Sequence, residues 1–367
     1  MRWLATLALV AALSGLGGCT TAGYYWQSIH GHLQLMQAAR PVSDWLADPQ
    51  TPEPLKARLA LSQRLRDYAI TELKLPDNPS YRRYADLKRR AVVWNVVAAP
   101  PYSLTLKTWC FPVTGCVGYR GYFDEGAAQA EAAQIAQAEG LEVGVYGVPA
   151  YSTLGWMNWA GGDPLLNTFI GYPEGELARL LFHELAHQVV YVEGDTVFNE
   201  SFATAVERLG AARWLSTRAS PAERTAYAVF DARRQAFRKL TLDTRQALNA
   251  IYAKNQPEGQ GTSAMNAMKN RAMQKFRDDF ATLKALAIAS GEPAAAWAGY
   301  DAWVAKANNA SFGAQAAYDD LVPAFEAVFA REGQDWARFY DAVRRIGALP
   351  KAERHESLKQ TLETARV

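Results

Sequence analysis

The 367-residue chain is 49% hydrophobic and 21% charged, which is enough apolar sequence for one large core or two modest ones. This composition excludes a disordered or fibrous chain. Lys and Arg number 39 against 37 Asp and Glu, so the formal charge is only +2 and the chain lacks the basic excess of a nucleic-acid-binding surface. We expect a globular protein with no nucleic-acid partner.

The N-terminal residues predict export and a lipid anchor. An apolar stretch over 3–16 is too short to span a bilayer and is typical of a secretory signal. The ending Leu16-Gly17-Gly18-Cys19 resembles a bacterial lipobox, which implies cleavage after residue 18 and lipid chains on Cys19. The residue after Cys19 is Thr20, and no Asp follows closely. By resemblance to bacterial lipoproteins, this implies that the protein is anchored in the outer membrane and faces the periplasm. The alternative is an ordinary signal peptide with an incidental cysteine.

Residues 19–90 indicate an N-terminal helical region. Apolar residues recur at spacings of three and four over 26–46 and over 55–73. Pro49, Pro52 and Pro54 lie between the two segments and predict a connector.

The pattern of residues 91–195 changes to that of a small sheet ahead of a buried helix. β-branched and aromatic residues predict strands at 92–97, 102–109, 119–123 and 142–148. The alanine-rich segment 124–139 predicts one covering helix. Residues 151–155 are either an exposed edge strand that pairs with an extended peptide or a plain connecting loop.

Two cysteines in this region predict a disulfide. In an oxidising compartment, Cys110 and Cys116 can close a small loop around Pro112 and Gly115. The alternative is a pair of buried free thiols. The spacing is not that of a C-x-x-C redox motif, so we predict a structural cross-link.

The segment His183-Glu184-Leu185-Ala186-His187 lies in an apolar run over 177–192 that predicts a central helix. Histidines four residues apart share one helix face, so both imidazoles can reach one zinc ion. Glu184 then lies near the open side of the metal, where a general base for water is needed. Without a metal, two buried histidines would need two separate hydrogen-bond networks.

A catalytic zinc requires a third protein ligand, and the sequence offers four carboxylates soon after His187: Glu193, Asp195, Glu200 and Glu207. Gly194 should end the first helix, and Asp195 or Thr196 should cap the next. In an antiparallel helix pair, His187 and Glu200 would each lie about 6 Å from the turn. Glu207 would lie about 10 Å deeper than Glu200. We therefore predict Glu200 as the ligand and Glu207 as an outer partner or an ordinary ion-pair residue.

Residues 196–367 predict a C-terminal helical region. Helical patterns cover 213–253 and 265–289, with a loop over 255–261. Six aromatic residues could line a substrate cleft, although core packing explains them better: Trp297, Trp303, Phe325, Phe329, Trp336 and Phe339.

Hydrolysis of an amide also needs a hydrogen-bond donor to the oxyanion. Tyr318, in a predicted passage from loop to helix, is the first choice, and Tyr252 is the second; packing is the alternative for both. His355 lies in the charged tail 351–359 and is a poor candidate.

The run from His183 to Gln188, followed by Asn199-Glu200-Ser201-Phe202-Ala203, resembles the gluzincin pattern of H-E-x-x-H and N-E-x-x-A. Most of the mature chain resembles a family of bacterial lipoproteins described as zinc aminopeptidases, through segments 81–86, 108–112, 148–156 and 322–326. The resemblance implies an α+β, mostly helical, zincin-like fold acting on peptides. It also implies one Zn²⁺ on His183, His187 and Glu200, with Glu184 as the base.

Two departures from the better-known gluzincin aminopeptidases bear on substrate choice. The gap between His187 and Glu200 is shorter, which implies a tighter helix hairpin. Their G-x-M-E-N motif, whose glutamate binds the substrate amine, has no counterpart, since 151–159 contains no acid. Glu193, Asp163 or Glu142 could substitute. The sequence thus favours a zinc peptidase over an aminopeptidase in particular, with an endopeptidase or a non-catalytic envelope scaffold holding a structural zinc as alternatives.

Overall fold

A computed structural model describes residues 23–111, 115–150, 152–254, 262–316 and 321–365. Helices predominate in these residues and the strands form small sheets, so the predicted α+β, mostly helical class is confirmed. Across the described ranges, no helix combines the length and the apolar character that a membrane crossing requires. Cys19 and the predicted signal segment lie outside the described residues.

The N-terminal region contains three helices. Helix α1 covers residues 23–38, α2 covers Val42–Ala47 and α3 covers Glu53–Thr71. The single helix predicted over 26–46 is therefore wrong. At Arg40–Pro41 the chain instead forms a short strand, β1, because proline has no backbone N–H to continue a helix.

A three-stranded antiparallel sheet forms the middle of the molecule. Its central strand β3, Val93–Ala99, is buried along its whole length and pairs with one neighbouring strand on each side. Helix α4, Glu125–Glu139, packs on this sheet and is capped by Asp124, whose side chain accepts a hydrogen bond from the Ala127 N–H. The predicted sheet with one covering helix is confirmed. The other strands are β2 (Arg83–Ala85), β4 (Trp109–Phe111), β5 (Gly115–Val117), β6 (Arg120–Tyr122), β7 (Glu142–Val148) and β8 (Leu165–Leu166).

The strand predicted over 102–109 does not form, apart from its last residue. Pro100 and Pro101 end β3, and Tyr102 and Leu104 then pack against a cluster of buried helical residues instead of pairing with a strand. The apolar residues of this segment are thus used for core packing.

The cysteine pair lies in a separate hairpin made by β4 and β5. Cys110 and Cys116 are opposite one another in the register and are joined by a disulfide, as predicted. The bond therefore holds the two short strands together.

Two helices at the centre carry the predicted zinc ligands. Helix α5 covers Glu174–Ala186, and α6 covers Thr196–Thr217. Apolar side chains of both, including Leu181 and Phe202, pack in the largest core with Phe325. The remaining helices are α7 (Pro221–Lys254), α8 (Thr262–Ala289), α9 (Ala298–Lys306), α10 (Asn309–Ala316), α11 (Val322–Arg331), α12 (Trp336–Gly347) and α13 (Lys351–Thr364).

The C-terminal aromatic residues belong to cores. Five of the six are buried and the sixth, Trp303, packs against the cluster that contains Trp297. The prediction that they serve core packing is confirmed.

Candidate metal centre

Helix α5 begins after Pro173 with Glu174 and Glu176 in its first turn, where carboxylates complement the helix dipole. Its buried face holds Leu177, Leu181 and Leu185. The helix ends earlier than the apolar run predicted, at Ala186, and His187 follows with helical backbone angles. Both histidines therefore keep the spacing of one helical turn.

The turn between α5 and α6 is tight and well bonded. Gly194 has a φ of 74°, a left-handed conformation that suits glycine. Asp195 caps α6 through the Phe198 N–H, as predicted. Asn199 bridges back to Val192: the Val192 N–H donates to Oδ1 at 2.8 Å, and Nδ2 donates to the Val192 carbonyl at 2.7 Å. Glu200 is thereby held opposite the histidines.

The three predicted ligands converge. Nε2 of His183 lies 3.1 Å from Nε2 of His187 and 3.3 Å from Oε2 of Glu200, and the third separation is 3.8 Å. Tetrahedral zinc sites with bonds of about 2.0–2.2 Å space their ligand atoms about 3.3–3.6 Å apart. These side chains could therefore hold one metal ion.

Glu207 supports this group from behind. Its Oε2 lies 3.0 Å from Nδ1 of His183, and its other oxygen accepts a hydrogen bond from Arg179. A proton shared with Glu207 on Nδ1 leaves a lone pair on Nε2, the tautomer that a metal ligand needs. Glu207 is thus an outer partner of His183, as the helix arithmetic predicted.

Burial and mutual charge set the ionisation of the centre. Burial would lower the pKa of His183, but without a metal the hydrogen bonds with Glu200 and Glu207 outweigh it and raise that pKa well above its ordinary value, so a metal ion would have to displace the proton from Nε2. Burial lowers the pKa of His187 to about 4, and burial raises the pKa of Glu184 to about 7. Glu184 is therefore balanced between holding and releasing a proton near neutral pH.

The centre forms part of the wall of a cavity of about 430 Å³. His183, Glu184, His187 and Glu200 all line it, together with side chains from α1, the central sheet and the β4–β5 hairpin. A smaller cavity of about 210 Å³ also reaches His183 and Glu184, beside Glu207 and Arg179. A small molecule in the larger cavity would contact Glu184 and the three converging side chains together.

Comparison of the chain with known protein families identifies one match. Residues 23–358, nearly all of the described chain, match the family described as "Putative aminopeptidase". The chain belongs to this family. Its description supports peptidase activity. No curated protein and no solved structure matches the chain.

A peptidase of this family needs an oxyanion donor, and the cavity contains phenols that the sequence did not single out. Tyr119 and Tyr191 line it. Burial, with Glu200 and Glu184 nearby, raises the pKa of Tyr119, so its hydroxyl keeps its proton. Tyr252 lies elsewhere, bonded to Asn309 at 2.8 Å, and Tyr318 lies outside the described residues.

The three acids considered for binding a substrate amine do not line this cavity. Asp163 is buried and accepts hydrogen bonds from the Thr153 N–H. Glu142 pairs with Lys269 and accepts from the Asn309 N–H, and Glu193 is exposed. Among the described lining residues, the only carboxylates are those of Glu184 and Glu200.

The segment predicted as an edge strand or a loop is a loop in its described part. Residues 152–155 form no strand, and Tyr151 lies outside the described residues. Ser152 and Leu154 nevertheless line the cavity. The segment thus contributes side chains to the cleft without offering a strand edge.

Proposed function

We propose that the protein is a zinc-dependent, zincin-like peptidase, with an aminopeptidase as the activity that the family description favours. One observation carries this proposal: the Nε2 atoms of His183 and His187 and the Oε2 atom of Glu200 lie 3.1, 3.3 and 3.8 Å from one another, close to the spacing of tetrahedral ligands. Glu184 lines the same cavity.

The chemistry divides between the metal and the side chains. A zinc ion on this group would polarise the scissile carbonyl and acidify a water molecule. Glu184 takes a proton from the attacking water on its carboxylate and returns it to the leaving amine nitrogen.

Tyr119 is the proposed donor to the oxyanion. Its hydroxyl lies near both Glu184 and Glu200, whereas Tyr191 interacts with Glu200 and Glu193. A donor must reach the carbonyl oxygen between the base and the metal ligands, which favours Tyr119. Tyr318, the donor predicted from the sequence, lies outside the described residues, so its role stays a prediction.

The deciding experiment measures bound metal and turnover on the same preparations. We expect about one zinc per chain in wild type and in Glu184→Gln, and turnover lowered at least about 10³-fold in Glu184→Gln. The carboxamide keeps the shape of Glu184 but cannot accept the proton. Absence of zinc, or activity that survives in Glu184→Gln, would refute the mechanism.

An endopeptidase is a second candidate, favoured by the lack of a spare carboxylate among the described cavity residues. An aminopeptidase usually holds the free substrate amine with a negative charge. The test compares peptides with free and N-acetylated ends. Equal rates indicate an endopeptidase, and loss of cleavage on acetylation indicates an aminopeptidase.

A non-catalytic alternative is an envelope scaffold or binding protein that holds a structural zinc. On that account, Glu184→Gln would leave every cellular role intact. A measurement of both peptide turnover and cellular phenotype in the same variant separates the two.

Anchoring in the outer membrane through lipid chains on Cys19 is part of the proposal. The apolar run over 3–16 and the lipobox-like ending support it. Mass spectrometry of the mature N-terminus tests it, with Cys19→Ala as the unmodified control. An unmodified Cys19 in the exported protein would contradict the anchor.

A further inference from the structure

The cavity beside the metal centre has an apolar wall that the chemistry at Glu184 does not require. Side chains from one helix, three strands and the segment after β6 form it, and the most prominent are aromatic or β-branched: Tyr24, Tyr25, Val93, Phe111, Val117 and Phe123. Val93 and Val117 belong to buried strand positions, and the aromatic residues come from α1, β4 and the segment after β6. The wall is therefore built by tertiary contacts.

Charged groups are confined to the metal centre. Among the described residues that line the cavity, none is Lys, Arg or Asp, and the only carboxylates are Glu184 and Glu200. Both are already used, one as the base and the other as a ligand. A charged substrate side chain in this cavity would lose its hydration without gaining an ion-pair partner.

Contacts within the wall keep it in place. The ring of Tyr24 stacks on Phe111 with centroids 5.6 Å apart and meets Tyr122 edge-on at 5.5 Å. Helix α1 approaches the sheet closely at Gly31, where a Cβ atom would collide with the Phe123 side chain. An apolar wall held in this way is pre-organised for binding, which reduces the ordering cost.

We propose that this wall selects substrates with a large apolar or aromatic side chain next to the scissile bond and disfavours Lys, Arg, Asp and Glu at that position. The inference rests on the proposed peptidase function, since the same cavity holds the base. A cavity of about 430 Å³ has room for such a side chain together with the adjoining peptide.

The first experiment measures hydrolysis with the zinc-loaded full chain. Internally quenched peptides of one sequence carry Leu, Phe, Lys or Glu at each position flanking the cleaved bond. At one flanking position, we expect kcat/KM for Leu and Phe to exceed that for Lys and Glu by at least about 30-fold. Equal rates, or faster cleavage of the charged peptides, overturn the inference and leave the peptidase function standing.

A wall variant tests whether these residues cause the preference. Tyr25 is 38% exposed at the cavity rim, so Tyr25→Glu adds a charge with little risk to folding. We expect Tyr25→Glu to shift the ratio of Lys to Leu cleavage upward at least about 5-fold. Leu286→Glu, at an exposed position on α8 away from the cavity, is the matched control and should leave the ratio unchanged. A ratio unchanged in Tyr25→Glu contradicts the assignment.

Binding provides a readout that does not depend on turnover. The Glu184→Gln chain is titrated with the uncleaved Leu, Phe, Lys and Glu peptides, and affinity is measured by calorimetry. We expect Kd for the Leu and Phe peptides to be at least about 10-fold lower. If this preference appears while wild type cleaves no peptide, the proposed function fails and only the apolar selectivity of the cavity is retained. Equal affinities overturn the inference.

Discussion

The side-chain amide of Asn199 occupies both hydrogen-bonding groups of the Val192 backbone, as donor at 2.7 Å and as acceptor at 2.8 Å. Asn199 is 2% exposed, so neither bond is replaced readily by water. The bridge joins the end of the histidine segment to the first turn of α6. It explains why an asparagine precedes Glu200: the residue sets the distance between ligands on two helices.

We predict that Asn199→Ala loosens the metal centre. Loss of both bonds leaves the Val192 N–H without its partner and leaves the carbonyl with only the longer bond from the Asp195 N–H, so the free energy of unfolding should fall by about 1–3 kcal/mol. Zinc affinity, measured by competition with a chelator, should fall about 10–100-fold because Glu200 is no longer held. Asn266→Ala, at an exposed site on α8, is the control and should match wild type. Wild-type zinc affinity in Asn199→Ala would contradict this role.

Glu207→Gln tests the support behind His183. The carboxamide keeps the size of Glu207 but loses the charge that fixes Nδ1 of His183 and pairs with Arg179. Zinc affinity should fall about 10–100-fold. The control is Glu326→Gln on α11, which breaks a partly exposed pair with Arg208 of α6 and should change stability by less than about 1 kcal/mol. Equal zinc affinity in Glu207→Gln and wild type would show that the contact is not needed.

Tyr119→Phe tests the oxyanion donor. The change removes one hydroxyl and leaves the ring, so zinc content and KM should stay close to wild type while kcat falls about 10²–10³-fold. Tyr191→Phe is the matched variant from the same cavity and should lower kcat less than 10-fold, a rough bound for a hydroxyl away from the reacting oxygen. A larger loss of kcat in Tyr191→Phe than in Tyr119→Phe would reverse the assignment.

Helix geometry explains why the candidate ligands could be predicted from sequence. The spacing of His183 and His187 and the rise per residue on either side of Gly194 are local properties. They placed Glu200 level with His187, and the two side chains are 3.8 Å apart. The capping role of Asp195 was predictable for the same reason. The contact of Asn199 with the turn was also predictable, because a residue four positions after the helix cap lies on the same helix face as the cap.

The cavity could not be predicted in this way, because its wall depends on tertiary packing. Tyr24 and Tyr119 are far apart in the chain, and no local period relates either to Glu184. The segment after Pro101 has β-forming residues but packs on helices, which a strand propensity does not reveal. The residues that line the cavity could therefore be identified only from the assembled fold.

We predict that Asp163 makes the free energy of unfolding depend on pH. Burial raises its pKa from 3.8 to about 6, although the Thr153 N–H opposes the shift. Between about pH 4 and pH 6 the folded state therefore holds a proton that the unfolded state has lost. Stability from this group is full below about pH 4 and is lost as the pH rises through 6, by about 2–3 kcal/mol. Asp163→Asn should flatten that part of the pH profile in denaturant unfolding; an unchanged slope would contradict the assignment.

Arg354 stabilises the turn between the ligand helices from the C-terminal side of the chain. Asp195, the cap of α6, is 1% exposed and pairs with Arg354, with Nε2 of His355 2.9 Å from Oδ2. Arg354 also donates to the carbonyls of Gly347 and Leu349, so it ties α12 and α13 to the cap.

Arg354→Met should lower the free energy of unfolding by about 3–5 kcal/mol, because it removes the main partner of a buried carboxylate while keeping the apolar volume. Arg344→Met is the control: its pair with Asp341 is exposed, so the loss should stay below about 1 kcal/mol. Both variants are compared by denaturant unfolding and by zinc content. Because Asp195 begins the helix that carries Glu200, the unstable variant should also bind zinc more weakly. Stability of Arg354→Met equal to that of Arg344→Met would mean that the remaining partners of Asp195, His355 and Lys351, suffice to hold the cap.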